Sequence, residues 1–152
     1  MHEVIISDTS CLILLDKIGQ LDLLNKVYGK LVITHEILKE FGLRLPNWVE
    51  VRRLTNKSVQ TALEQTLDLG EASAIALAIE NPSSLLIIDD LKARKMAKAL
   101  NLRLTGTLGV IFKAKEIGVI NKIGPVINQL IQEDFRISDN VVSEILRKSG
   151  ES

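Results

Sequence analysis

The sequence predicts one three-layer α/β/α domain built on a five-stranded, mainly parallel sheet. Three observations carry that expectation. Short β-branched and leucine-rich segments recur along the chain, helical periodicity fills the intervals, and aromatic residues make up only 3% of the 152. A core of Ile, Leu, Val and Ala, in strands that stay apolar throughout, suits a parallel sheet covered by helices on both faces.

The predicted strands are Val4–Ser7, Leu31–Thr34, Val49–Leu54, Leu85–Asp89 and Leu102–Thr105. The first, second and fourth are unbroken apolar runs, the pattern of strands buried on both sides. The third alternates Val49 and Val51 with Glu50 and Arg52, which places it half exposed near a sheet edge. Between the first two strands, Leu12, Leu15 and Ile18, then Leu21, Leu24 and Val27, predict two helices separated by Gly19. Ile37, Leu38 and Phe41 mark a short helix closed by Gly42. Val59, Ala62, Leu63 and Thr66 mark another, ended by Leu69-Gly70. A further stripe, Ala72, Ile75, Ala76 and Ile79, ends at Asn81-Pro82. Ala93, Met96, Ala97 and Leu100 predict an inward face after the fourth strand, and three more helices follow around 108–117, 123–132 and 139–147. Residues 1–147 form one expected domain, and the tail 148–152 is expected to fray.

Composition narrows the chemistry. The lone cysteine, Cys11, lies in an apolar run, which rules out an internal disulfide and marks a core residue. The only histidines are His2 and His35. The longest apolar run, Cys11–Leu15, is too short to span a membrane, and no basic region precedes an apolar stretch at the N-terminus. A cytoplasmic location is therefore expected. Nineteen basic residues balance nineteen acidic ones, so any contact with nucleic acid must come from a local patch.

Acidic residues fall where such sheets bind ligands, at the carboxyl ends of the strands. Asp8 follows the first strand, and Asp89 and Asp90 follow the fourth. Alone, Asp8-Thr9-Ser10 equally describes a helix N-cap. Glu40 stands near a helix C-terminus, the unfavourable end of the dipole, with Glu36 one turn earlier. Glu71 begins an Ala-rich helix, where an acid is favoured electrostatically and capping is an alternative role. Gathered carboxylates repel one another unless a cation neutralises them. An all-oxygen set without Cys or His points to Mg²⁺ or Mn²⁺, and such ions assist phosphodiester hydrolysis.

These blocks resemble the PIN-domain nucleases, which include toxin nucleases of the VapC type, from Val4 to about Lys115. The resemblance rests on Ile5-Ile6-Ser7-Asp8-Thr9-Ser10, Val32-Ile33-Thr34 with Ile37-Leu38-Lys39-Glu40, and Leu69-Gly70-Glu71-Ala72. It continues through Leu86-Ile87-Ile88-Asp89-Asp90 and Gly106-Thr107-Leu108-Gly109. It implies that Asp8, Glu40, Glu71 and Asp90 are the metal-binding and catalytic acids, with Ser10, Asp89 and Thr107 supporting them. It also favours Glu40 over Glu36, and implies a strand order of 3-2-1-4-5. An RNA substrate, a homodimer and a protein antitoxin follow by the same analogy. Two departures stand out: Glu71 occupies a position where many members carry Asp, and Thr34 replaces a common proline.

Lys92, Arg94, Lys95 and Lys98 lie on the helix after Asp90, where they can guide a phosphate backbone or simply form a solvated face. Lys39 and Arg44 are weaker candidates across the cleft. No aromatic stacking platform is legible, since Trp48 and Tyr28 stand isolated as packing residues. A catalytically silent binding or regulatory protein of the same fold is the competing expectation. A phosphoacceptor receiver is a third, suggested by Leu86–Asp90, but too little chain follows Asp90 to complete one.

Overall fold

The computed structural model describes residues 3–151; Met1, His2 and Ser152 lie outside the described residues. Five parallel strands form one sheet: β1 (Val4–Ser7), β2 (Leu31–Thr34), β3 (Val49–Arg52), β4 (Ser84–Ile87) and β5 (Leu104–Thr105). Their order is β3-β2-β1-β4-β5. Ile6 pairs with Val32 on one side of β1 and with Leu86 on the other. Strand order therefore reverses between β1 and β4, which opens a crevice past their carboxyl ends.

Parallel neighbours need crossovers, and helices supply them. α1 (Thr9–Lys17) and α2 (Asp22–Tyr28) join β1 to β2, and α3 (His35–Phe41) joins β2 to β3. α4 (Ser58–Leu63) and α5 (Leu69–Glu80) lead to β4, and α6 (Leu91–Ala99) leads to β5. α7 (Thr107–Glu116), α8 (Gly124–Gln132) and α9 (Asp139–Lys148) complete the chain. α1, α3, α4 and α5 pack as one connected group, while α2 packs on α7, giving the expected three layers.

Burial follows the sequence pattern. All of β2 is buried, as are Ile5, Ile6 and Ser7 of β1 and Leu86 and Ile87 of β4. β3 is the half-exposed edge its alternation predicts. α5 buries every residue from Ala72 to Ala78, and its alanines let it lie close against the sheet. Of the apolar residues after Gly106, Ile111, Val126, Ile127 and Leu130 enter the core, while Ile117 and Ile131 stay exposed.

Several expected boundaries shift for identifiable reasons. β3 ends at Arg52, not Leu54, because its partner β2 ends opposite it at Thr34. β4 ends at Ile87, which pairs with the last residue of β1, Ser7. β5 shrinks to two residues, since the Leu102 N–H turns back to the Ala97 carbonyl. Leu69-Gly70 opens α5 and does not close the helix before it: Asp68 is the N-cap, and Asp68 and Glu71 form a reciprocal capping box. Leu100, expected inward, is 40% exposed as the C-cap of α6. The tail expected to fray is held through Glu151, whose carboxylate accepts from the Ile123 and Gly124 N–H groups and pairs with Lys115.

Candidate active site

Asp8 is both cap and candidate ligand. Its Oδ1 accepts the Cys11 N–H at 3.0 Å and so caps α1. Its Oδ2 is buried and has no hydrogen-bond partner. A buried carboxylate oxygen without a donor is costly, so it calls for a proton or a cation. Burial pushes the Asp8 carboxyl up to about 7, against the pull of the Cys11 and Asp89 backbone N–H groups, and the negative charges of Asp89 and Glu71 add to the rise.

Glu71, half-buried, is shifted in the same direction. Its carboxyl is raised to about 7 by burial and by the charges of Asp68 and Asp90. The capping box fixes its helix end, with Asp68 Oδ1 accepting the Glu71 N–H at 2.8 Å. Asp90 caps α6 through Oδ2, which accepts the Ala93 N–H at 2.9 Å, and the residue is exposed. The charges of Asp89 and Glu71 thus act on Asp8, and that of Asp90 acts on Glu71, past the ends of β1 and β4.

Asp89 is fully engaged by Thr107. The Thr107 N–H donates to Oδ1 at 2.8 Å and its hydroxyl to Oδ2 at 2.5 Å. Gly106 makes this possible, because a Cβ there would run into Asp89 Oδ1 and Arg94 Nη1. Glu40 reaches the crevice from α3, where its Oε1 accepts the Thr9 hydroxyl at 2.5 Å. It lies over Gly70, where any Cβ would overlap Oε1. Glu36 turns away, accepting from Gln60 Nε2 at 2.8 Å with Lys57 nearby.

Ser10 sits on the exposed rim of a shallow cleft shared with Lys17 and Phe135. Lys92, Lys95 and Lys98 are exposed along α6, and Lys39 and Arg44 are exposed across the crevice. Arg94 folds inward, donating from Nη1 to the Ile88 carbonyl at 2.8 Å. Trp48 and Tyr28 are half-buried against the core, as expected of packing residues. Cys11 is fully buried, and burial with the charges of Asp8 and Asp89 pushes its thiol up, so it is no nucleophile. Sequence reasoning missed Thr9 and Asp68. The Asp-x-x-Glu spacing from Asp68 to Glu71 was the available signal for the second.

Among the described residues no three acids or histidines are gathered tightly enough to cage a metal ion by themselves. The orphaned Asp8 oxygen and the raised carboxyls of Asp8 and Glu71 still fit a small hard cation. Mg²⁺ is held by one or two carboxylates with water and substrate oxygens, not by an all-protein cage.

A parallel sheet in this order, with acids collected at its switch point, defines an α/β/α domain whose working face is a carboxylate crevice. The chain belongs to the PIN-domain family: the family model DUF3368, a PIN domain, matches residues 4–151. Searches of curated proteins and of solved structures each returned no match. The PIN domain is a nuclease-type fold, and nucleases of the family typically use divalent metals and act on nucleic acid. No helix among the described residues is long and apolar enough to cross a membrane.

Proposed function

We infer that the protein is a Mg²⁺- or Mn²⁺-dependent endoribonuclease, with the whole chain acting as one catalytic domain. The observation that carries this reading is the buried, unpartnered Oδ2 of Asp8, facing the charges of Asp89 and Glu71.

Asp8 and Asp90 would hold the ion, with Glu71 and Glu40 completing the site. When bound, it supplies an activated water and positive charge for a phosphodiester. Without it, Asp8 and Glu71 keep protons close to neutral pH, which lets acids that face one another coexist in the fold. Asp89, held by Thr107, orients the β4 end of the site. The Thr9 hydroxyl holds Glu40 at the α3 side. Lys92, Arg94, Lys95 and Lys98 guide the phosphate backbone towards the acids.

The test is purified protein on mixed RNA with Mg²⁺ or Mn²⁺, beside an Asp8→Asn variant. Cleavage by wild type alone supports the reading. Equal cleavage by both overturns it.

A catalytically silent binding protein is the second reading, favoured by the absence of a three-acid cage among the described residues. An unchanged melting temperature across millimolar Mg²⁺ and Mn²⁺ would favour it. Family members often pair with antitoxins. A toxin role here, with a homodimer and a protein antitoxin, is the matching physiological reading, checked by the oligomeric state and by co-purification with the product of the adjacent gene.

A further inference from the structure

The turn between α8 and α9 is built to hold an aromatic side chain in a cleft that Asp89 also lines. α8 ends in a Schellman arrangement: the Asp134 N–H donates to the Ile131 carbonyl and the Phe135 N–H to the Leu130 carbonyl. Asp134 takes the left-handed conformation, φ 63°, usually left to glycine. Phe135 is thereby fixed at the helix exit, half-buried, with a cleft on each side of it.

The cleft on the β5 side has a volume of about 430 Å³. One wall is Asp89, Arg94 and Gly106, so the cleft borders the crevice at Asp89. The other is Phe135, Arg136 and Ile137. The size lies within the range of small-ligand sites, roughly 300–1,000 Å³. The lining joins an aromatic ring and apolar surface to two guanidinium groups. Arg94 is oriented by the Ile88 carbonyl through one nitrogen only. A guanidinium carries five N–H donors, so others remain for a phosphate. Among the described residues no hydrogen bond joins α8 or α9 to Asp8, Glu40, Glu71 or Asp90, so this wall is placed to add recognition and not chemistry.

We propose that this cleft is a nucleotide subsite, seating an unpaired base against Phe135 with its phosphate between Arg94 and Arg136. The proposal rests on the nuclease reading above and assigns residues of this chain to the base and the phosphate of one nucleotide. A base within a duplex is already stacked on its neighbours and cannot enter, whereas an unpaired one gains an aromatic partner.

The experiment measures binding of a fluorescein-labelled single-stranded oligoribonucleotide and its duplex by anisotropy. Wild type, Phe135→Leu and Arg136→Gln are compared in EDTA, where cleavage cannot interfere. Cleavage of the same single strand with Mn²⁺ is assayed in parallel, and melting temperatures show that the variants are folded. The expected result is a wild-type preference for the single strand that falls about tenfold in each variant, the scale of one lost base–aromatic stack or phosphate contact. Undiminished preference in folded Phe135→Leu and Arg136→Gln, with wild type still cleaving RNA, overturns the subsite and leaves the nuclease reading standing. Wild type that neither binds nor cleaves RNA overturns both. Equal losses on single strand and duplex assign Phe135 a purely structural part and also overturn the subsite.

Discussion

Asp89 gives both carboxylate oxygens to a single residue, Thr107, whose N–H lies 2.8 Å from Oδ1 and whose hydroxyl lies 2.5 Å from Oδ2. The pair joins the end of β4 to the start of α7 across a glycine that a side chain would jam. It keeps one of two adjacent acids occupied, while Asp90 stays exposed at the crevice with only one oxygen in its cap.

Thr107→Val tests that division of labour. The variant keeps the shape and the N–H contact but leaves Asp89 Oδ2 without its hydroxyl. A hydrogen bond to a charged group is worth about 1.5–3 kcal/mol, and stability should fall by that amount in denaturant titrations. Cleavage should drop about 10- to 100-fold, as when the residues that orient metal ligands are lost. Thr107→Ser should restore both. A stable Thr107→Val enzyme of full activity would mean that Asp89 needs no such clamp.

Gly70→Ala displaces Glu40 without replacing it. A Cβ at position 70 meets Glu40 Oε1 and Thr9 Oγ1, the far ends of side chains, and Glu40 is exposed and free to swing away. Alanine also suits a helix better than glycine, so stability should stay within about 1 kcal/mol of wild type. If Glu40 helps form the site, cleavage should fall about tenfold or more through its displacement. Unchanged cleavage would remove Glu40 from the working set.

Much of this was legible because burial leaves a mark on composition. β1, β2 and β4 are apolar on both faces, so their runs stand out, and the alternation of β3 announces an edge. Strand ends were less legible, because a strand stops where its partner stops: Arg52 opposite Thr34 and Ile87 opposite Ser7. The strand order came from the likeness to a family and not from periodicity, since nothing local encodes which strands pair. Asp8 reads as cap or ligand, and the structure shows the cap, with one oxygen on Cys11 and the other bare. Gly70 reads as a helix breaker in isolation, although Asp68 and Glu71 on either side spell a capping box. Phe135 escaped notice because its approach to Asp89 and Arg94 joins segments about forty residues apart, which no local pattern records.

Asp8→Asn should stabilise the metal-free protein, and the sign depends on pH. The Asp8 carboxyl rises from 3.8 to about 7 on folding. A group whose acid form is favoured in the native state exacts nothing below its unfolded pKa. It then destabilises progressively as pH climbs from about 4 to 7. Asparagine keeps an oxygen for the Cys11 N–H and carries no charge. The variant should therefore match wild type near pH 4 and exceed it above pH 7, by on the order of 4 kcal/mol. Mn²⁺ should raise the wild-type melting temperature above pH 7 and leave the variant unmoved. Parallel stability curves for the two proteins would show that Asp8 is not a strained acid.

Glu151 gives the opposite pH signature at the other end of the chain. Partial burial opposes its ionisation, but Lys115 and the Ile123 and Gly124 N–H groups outweigh this and hold its carboxyl down to about 2. An acid held low stabilises the fold above its unfolded pKa of 4.5 and loses that contribution as pH falls towards 2. Wild type should therefore be more stable than Glu151→Gln by a constant margin above pH 5, and the margin should close in acid. The same contact ties the end of α9 to the start of α8, the two helices whose connecting turn carries Phe135 and Arg136. Hydrogen exchange in α9 should accelerate in Glu151→Gln at neutral pH, while the buried amides of β1 and β4 keep wild-type protection. Uniform acceleration across the sheet would mean that the tail supports the whole domain and not this wall of the cleft alone.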